Sequence, residues 1–283
     1  MNVAPRYLGR ESWLARRDPR VLILVVVIYV IGVIQVWDAR IMLVALALAF
    51  AYYASGRIPW RAVRANWAWV LTFVGFVVTT NTIVTGGAVG AGGGPPHTLF
   101  SLPFLGIPVT AEAVSFGTTQ LLRFLGMAAV GFPLAYCVAP SALGTAFARL
   151  HVPAKFAYAL DLTWRFIPSL ADDVRTTIDA QRVRGYEYEK AGRSPVGRLR
   201  RIIPILVPVT INAVVGAEDT IDAMDLRAFG TGPRTWVQEL RFDNADRAVL
   251  LGFLAFTTVL TVVGFAGYAR LWVFPFLLAS AGG

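Results

Sequence analysis

Five apolar runs, the third and fourth of them close to the length of a bilayer crossing, leave this chain few solutions other than a bundle of membrane helices. Val21 to Trp37 is apolar apart from Gln35, and after the break Asp38-Ala39-Arg40 the pattern resumes from Ile41 to Ala54, which reads as a helical hairpin. A third run extends from about Trp67 to Val84, a fourth from about Leu121 to Val138, and a fifth from Ala248 to Tyr268. A helix needs ~20 such residues to cross the hydrocarbon, where every backbone N–H and C=O has to be satisfied within the segment. Composition agrees: 56% of the 283 residues are hydrophobic and 15% charged, unlike a water-soluble globule.

The formal charge of +9 could suggest nucleic acid, but the arginines bunch beside apolar runs instead of alternating with stacking aromatics. They read as orienting charges, and no nucleic-acid partner is expected. Of the 26 basic residues only Arg40, Arg123 and Arg270 fall on the side of the loop between the third and fourth runs. By the positive-inside rule the N-terminus, the Arg57, Arg61 and Arg64 loop and the stretch from Pro140 to Arg247 belong at the cytoplasmic face of a bacterial or archaeal cell membrane. Arg6 to Arg20 precede the first run, which no small-residue cleavage site closes, so it reads as a retained span. The lone Cys137 allows neither an intrachain disulfide nor a thiolate cluster.

The loop itself carries Gly86-Gly87, Gly92-Gly93-Gly94-Pro95-Pro96 and then Leu102 to Val109, which resembles a short surface hairpin. Pro140 to Arg247 is amphipathic throughout. One helix is expected from about Pro153 to Arg184, apolar in its first half and charged in its second, with Gly185 suited to end it. A second is expected from about Val196 to Phe229, ended by Gly230 and bent by Pro204 and Pro208, each of which removes a backbone donor. Its apolar run looks short for a straight crossing, so both helices are expected to lie obliquely. No internal repeat argues for an inverted-repeat carrier.

Two segments share a layout: Asp179-Ala180-Gln181-Arg182-Val183-Arg184-Gly185-Tyr186 and Asp222-Ala223-Met224-Asp225-Leu226-Arg227-Ala228-Phe229-Gly230. Each sets an arginine at a helix end, before a small residue and an aromatic. Arginine is favoured there by the helix dipole and by the membrane rules alone. The functional alternative is a guanidinium that bonds a carboxylate in a partner's groove, worth ~1.5–3 kcal/mol.

Together with Arg165-Phe166-Ile167-Pro168, Ile203-Pro204-Ile205-Leu206-Val207-Pro208 and Ala217-Glu218-Asp219, these segments make most of the chain resemble the transmembrane (T) components of energy-coupling-factor transporters, among them those of cobalt, nickel and biotin systems. In that family two triplets, usually Ala-Arg-Gly or close variants, dock into grooves on a pair of ATP-binding-cassette subunits. The resemblance carries this over to Val183-Arg184-Gly185 and Leu226-Arg227-Ala228. The departures are Val183 in the first triplet and Leu226 with Ala228 in the second; both arginines are kept. It further implies one substrate-binding S component as partner, ATP and Mg bound by the ATPases and no cofactor on this chain, and a vitamin or transition-metal ion as cargo.

Other groups read as structural. Glu218, Asp219, Asp222 and Asp225 suit solvated or arginine-paired carboxylates, and Asp161 with Arg165 suits a local ion pair. His97 and His151 lack nearby Cys or carboxylate partners in sequence and suggest no metal site. There is no phosphate-binding Gly-rich Lys loop and no nucleophile–base signature, so a non-catalytic subunit is expected. The reading is an all-α polytopic membrane protein: transmembrane helices in 1–139, a cytoplasm-facing coupling region in 140–246 and a C-terminal transmembrane segment in 247–283. The alternatives are a secondary transporter, which would need more intramembrane polar groups than Gln35 and Asn81, or a membrane enzyme acting on a phosphorylated lipid.

Overall fold

The computed structural model describes residues 12–85, 97–101, 108–186, 195–232, 240, 242–268 and 271–275. The glycines from Gly86 to Gly94, the tip of the expected hairpin and Arg270 lie outside them. The chain is an all-α membrane protein. It divides into two units, one of residues 6–139 with 241–283 and the other centred on 140–240.

The first unit holds a 3₁₀ turn (Leu14–Arg16), α1 (Pro19–Ile34), α2 (Ala39–Ser55), α3 (Trp60–Thr85), the strands β1 (Thr98–Ser101) and β2 (Pro108–Thr110), α4 (Ala111–Cys137) and α8 (Asn244–Phe265). Helices α1 and α2 open on one device used twice. Asp18 accepts the backbone N–H of Arg20 and is gripped by the Arg20 guanidinium; Asp38 does the same with Arg40. An aspartate N-cap satisfies a donor that the helix cannot, and the arginine neutralises the buried carboxylate. The break Asp38-Ala39-Arg40 is therefore a helix start as well as a turn.

Caps also explain why two spans begin earlier than hydropathy places them. Thr110 accepts from the Ala113 N–H and starts α4 at Ala111. Asp243 and Asp246 form a reciprocal capping box that starts α8 at Asn244. In α3 the polar turn ahead of Trp67 stays helical, with Asn66 donating to the Tyr136 hydroxyl at 2.9 Å. By length and composition α3, α4, α8 and the stretch Ile202–Asp225 can cross a membrane, while α1 and α2 have 16 and 17 residues.

Helix α4 packs on α1, α2 and α3, and α8 packs on α1. Close approach depends on glycine at two points. Tyr29 of α1 is buried, donates to the Ala45 carbonyl of α2 at 3.1 Å, and rests its hydroxyl where Gly126 of α4 has no side chain. A Cβ on Gly32 would lie 2.8 Å from Thr257 Oγ1, which donates to the Ile28 carbonyl. Gln35 donates to the Ile31 carbonyl and to Thr261 of α8. Arg123 of α4 is buried, donates to the Val36 carbonyl and to Gln120 Oε1, and covers the Trp37 ring at 4.6 Å.

One expectation is corrected here. His97 does have a carboxylate partner: the antiparallel β1–β2 ladder folds it back onto the start of α4, where its Nδ1 lies 2.8 Å from Glu112 Oε1. No group of three metal-ligating side chains occurs among the described residues.

The second unit holds α5 (Pro140–Arg149), α6 (Ala154–Val183) and α7 (Pro195–Asp225). The sequence reading had no separate α5. It packs on α6 through Gly144, whose absent Cβ leaves room for the Ala157 carbonyl and the Asp161 Cβ, each 2.9 Å from where that atom would stand. Asp161 is thus a packing residue, and the ion pair expected with Arg165 does not form.

Gly126→Ala should displace Tyr29 and cost about 1–3 kcal/mol as overpacking does; a lowered thermal midpoint in detergent, partly restored by adding Tyr29→Phe, would show it. A second outcome concerns pH. Arg17, 2.9 Å away, and the Asn244 N–H hold the Asp243 carboxyl below its ordinary value. A depressed carboxylate stabilises the fold above the ordinary Asp pKa, about 3.9, and that contribution is lost as pH falls through the lowered value. Thermal midpoints followed into acid should therefore drop more steeply in the wild type than in Arg17→Gln.

Candidate functional site: two matched helix tips

The two segments with a shared layout close their helices with the same pair of hydrogen bonds at matching positions. At the end of α6 the Tyr186 N–H bonds the Gln181 carbonyl and the Gly185 N–H bonds the Arg182 carbonyl, both at 2.9 Å. At the end of α7 the Phe229 N–H bonds the Met224 carbonyl at 3.0 Å and the Ala228 N–H bonds the Asp225 carbonyl at 2.9 Å. This is the Schellman closure, which uses carbonyls that a helix end would otherwise leave unpaired. It places Arg184 and Arg227 at equivalent capping positions, Val183 and Leu226 just before them, and Gly185 and Ala228 just after.

The closure demands a left-handed backbone at the last of these positions. Gly185 takes φ +81° and Ala228 φ +53°. Glycine does so freely, whereas a Cβ crowds the following carbonyl, so the Ala228 tip holds strain that the Gly185 tip does not. The departure of Ala228 from glycine is a difference in backbone energy, with the geometry preserved.

Both tips present the same chemistry. Val183 and Leu226 are each 89% exposed, far too open for core residues. Arg184 and Arg227 are exposed too, and neither has an ion-pair partner among the described residues, whereas Arg182 pairs with Asp179 at 3.3 Å. Glu218, Asp219, Asp222 and Asp225 are exposed along the last turns of α7. An uncommitted guanidinium beside an uncovered aliphatic side chain suits a carboxylate next to an apolar floor.

The helices carrying the tips run antiparallel. Gln181, near the end of α6, donates to the Pro204 carbonyl in the first half of α7, while Tyr158, near the start of α6, donates to Met224 Sδ at 3.6 Å and packs its ring on Phe229 at 4.6 Å. The tips therefore stand at opposite ends of the pair, roughly 40 Å apart at 1.5 Å per residue along α6. Pro204 and Pro208 both lie inside α7, which stays continuous through them. Sequence reasoning singled out the arginines but missed Gln181, Tyr158 and Met224; aligning the segments on their arginines puts Gln181 and Met224 in register, the one available signal.

The flank of α7 between prolines and tip is uncovered. Leu206, Ile211, Val214 and Ile221 are all exposed, and Ile202–Asp225 is apolar and long enough to enter a bilayer. The short-run expectation was too narrow, because apolar positions continue past Ala217 to Ile221.

A family model described as CbiQ, cobalt transport protein, matches residues 10–237. Among curated relatives, the energy-coupling factor transporter transmembrane protein EcfT of Bacillus selenitireducens is 25% identical over 271 residues, covering 93% of this chain and 97% of its own. The protein of the same name from Listeria innocua is 28% identical over 274 residues, covering 90% and 95%. That from Thermosediminibacter oceani reaches 32% over 167 residues, covering 55% and 62%.

Relief of the Ala228 strain is measurable. Ala228→Gly should stabilise the last turn of α7 by about 1 kcal/mol, slowing amide exchange at 228 and 229, while Gly185→Ala should speed exchange at 185 and 186 by a similar factor.

Proposed function

The chain belongs to the CbiQ cobalt transport protein family of energy-coupling-factor transmembrane components, and from that premise we propose that it docks through Arg184 and Arg227 onto two ATP-binding-cassette ATPases and carries their motion to a substrate-binding S component. One observation carries this reading: two tips closed by the same pair of backbone hydrogen bonds, each offering an exposed aliphatic residue and an arginine without an ion-pair partner among the described residues. A single arginine at a helix end is satisfied by the dipole argument. Two superposable tips at opposite ends of one antiparallel pair supply a two-point grip for a pair of partners.

Each step has a residue basis. Val183 and Leu226 would sit on the apolar floor of a groove while the guanidinium bonds a carboxylate at its rim. ATP and Mg belong to the ATPases. Movement at a tip is carried along α6 and α7 because helices of 30 and 31 residues are stiff levers. The exposed apolar flank of α7 supports contact with lipid or with the S component. The arginine distribution supports a cell-membrane location with the N-terminus in the cytoplasm. The cargo is a vitamin or a transition-metal ion, chosen by the S component.

Purified with its two ATPases, the wild type should co-elute with them. Arg184→Glu and Arg227→Glu should each weaken the complex roughly 10- to 100-fold, as loss of a charge-assisted bond does, and the double variant should abolish it. Wild-type retention by all three variants would remove the docking model.

A further inference from the structure

A proline in a helix leaves a carbonyl without its donor one turn earlier. Pro208 has no N–H, so the Pro204 carbonyl, four residues before it, has no partner within α7. Gln181 supplies one: its side-chain amide donates to that oxygen at 3.3 Å from the neighbouring helix. Gln181 is also the residue whose own carbonyl closes the Arg184 tip by accepting the Tyr186 N–H.

The other tip shows the reciprocal arrangement. Met224 occupies in the Arg227 tip the place Gln181 occupies in the Arg184 tip, and its carbonyl accepts the Phe229 N–H. Its side chain likewise meets the opposite helix, taking the Tyr158 hydroxyl at 3.6 Å, and the Tyr158 ring lies against Phe229. In both tips the residue that closes the helix end is thus also the residue tied across to the partner helix.

Resting on the docking role proposed above, we infer that Gln181 and Tyr158 are positioning residues that brace each tip against the opposite helix, so that displacement of the Arg184 tip and displacement of the Arg227 tip are coupled. Displacement at one tip pulls on the proline segment of α7 through Gln181, and displacement at the other pulls on the start of α6 through Tyr158. Pro208 thereby frees the acceptor that Gln181 uses. A regular residue there would satisfy the Pro204 carbonyl within α7 and release the cross-tie.

The test is the distance between spin labels placed at Asp179→Cys and Asp222→Cys, equivalent exposed positions behind the two arginines, in a Cys137→Ser background. It is read in the chain alone in detergent and in its complex with the ATPases and S component, with magnesium ATP present or omitted. The unsubstituted pair should give one narrow population that shifts as a unit on ATP. Gln181→Leu, Tyr158→Phe and Pro208→Ala should each add a broad population, raised roughly fivefold as for one lost hydrogen bond. Gln181→Leu with Pro208→Ala should be no broader than Pro208→Ala alone, since both remove the same tie. Wild-type widths in the single variants, or additive broadening in that pair, would overturn the inference. The detergent arm is read without ATPases, so a failure of docking leaves it intact.

Discussion

A buried backbone N–H or C=O without a partner is expensive, most of all where no water can reach it, and the distinctive side chains of this protein answer that constraint. Helix ends and prolines generate the unpaired groups. Asp18 and Asp38 meet donors at the starts of α1 and α2. Arg123 meets the Val36 carbonyl past the end of α1, where the dipole also favours a cation. Gln181 meets the carbonyl freed by Pro208. Polar residues that look costly in an apolar sequence are placed where the backbone would otherwise be left open.

The same constraint connects fold to function. A helix that ends in a Schellman closure pairs two of the carbonyls its end would otherwise leave open, so the turn carrying the arginine keeps a defined backbone in solvent. That leaves the side chains at the capping position free for recognition. Arg184 and Arg227 project from these closed turns, beside the exposed Val183 and Leu226. The strained Ala228 makes the two tips unequal in energy while keeping them equal in shape.

Legibility from the sequence varied with the range of the interaction. The spans were readable because hydropathy is local, but their starts were not: α4 begins ten residues before the apolar run assigned to it, since Thr110 at its N-cap and Glu112 in its first turn are polar yet suit a helix N-terminus. Gly185 was readable as a terminator from its residue type. The flank of α7 was under-read because Glu218 and Asp219 mark an end to the apolar run at Ala217, whereas the stretch able to cross a membrane extends from Ile202 to Asp225. Asp161 and Arg165 have the spacing of an ion pair, but packing against Gly144 claims Asp161 instead.

The sequence by itself determined the membrane class, the principal helices and the two tips with their arginines, because apolar periodicity, caps and terminating residues act within a few positions along the chain. Tertiary structure alone decided the ties across long separations: Glu112 on His97, Tyr29 in the notch at Gly126, Arg123 on the Val36 carbonyl and Gln181 on the Pro204 carbonyl. The last two acceptors are backbone atoms, which every residue possesses, so nothing in the identity of Val36 or Pro204 could name its donor before the helices were packed.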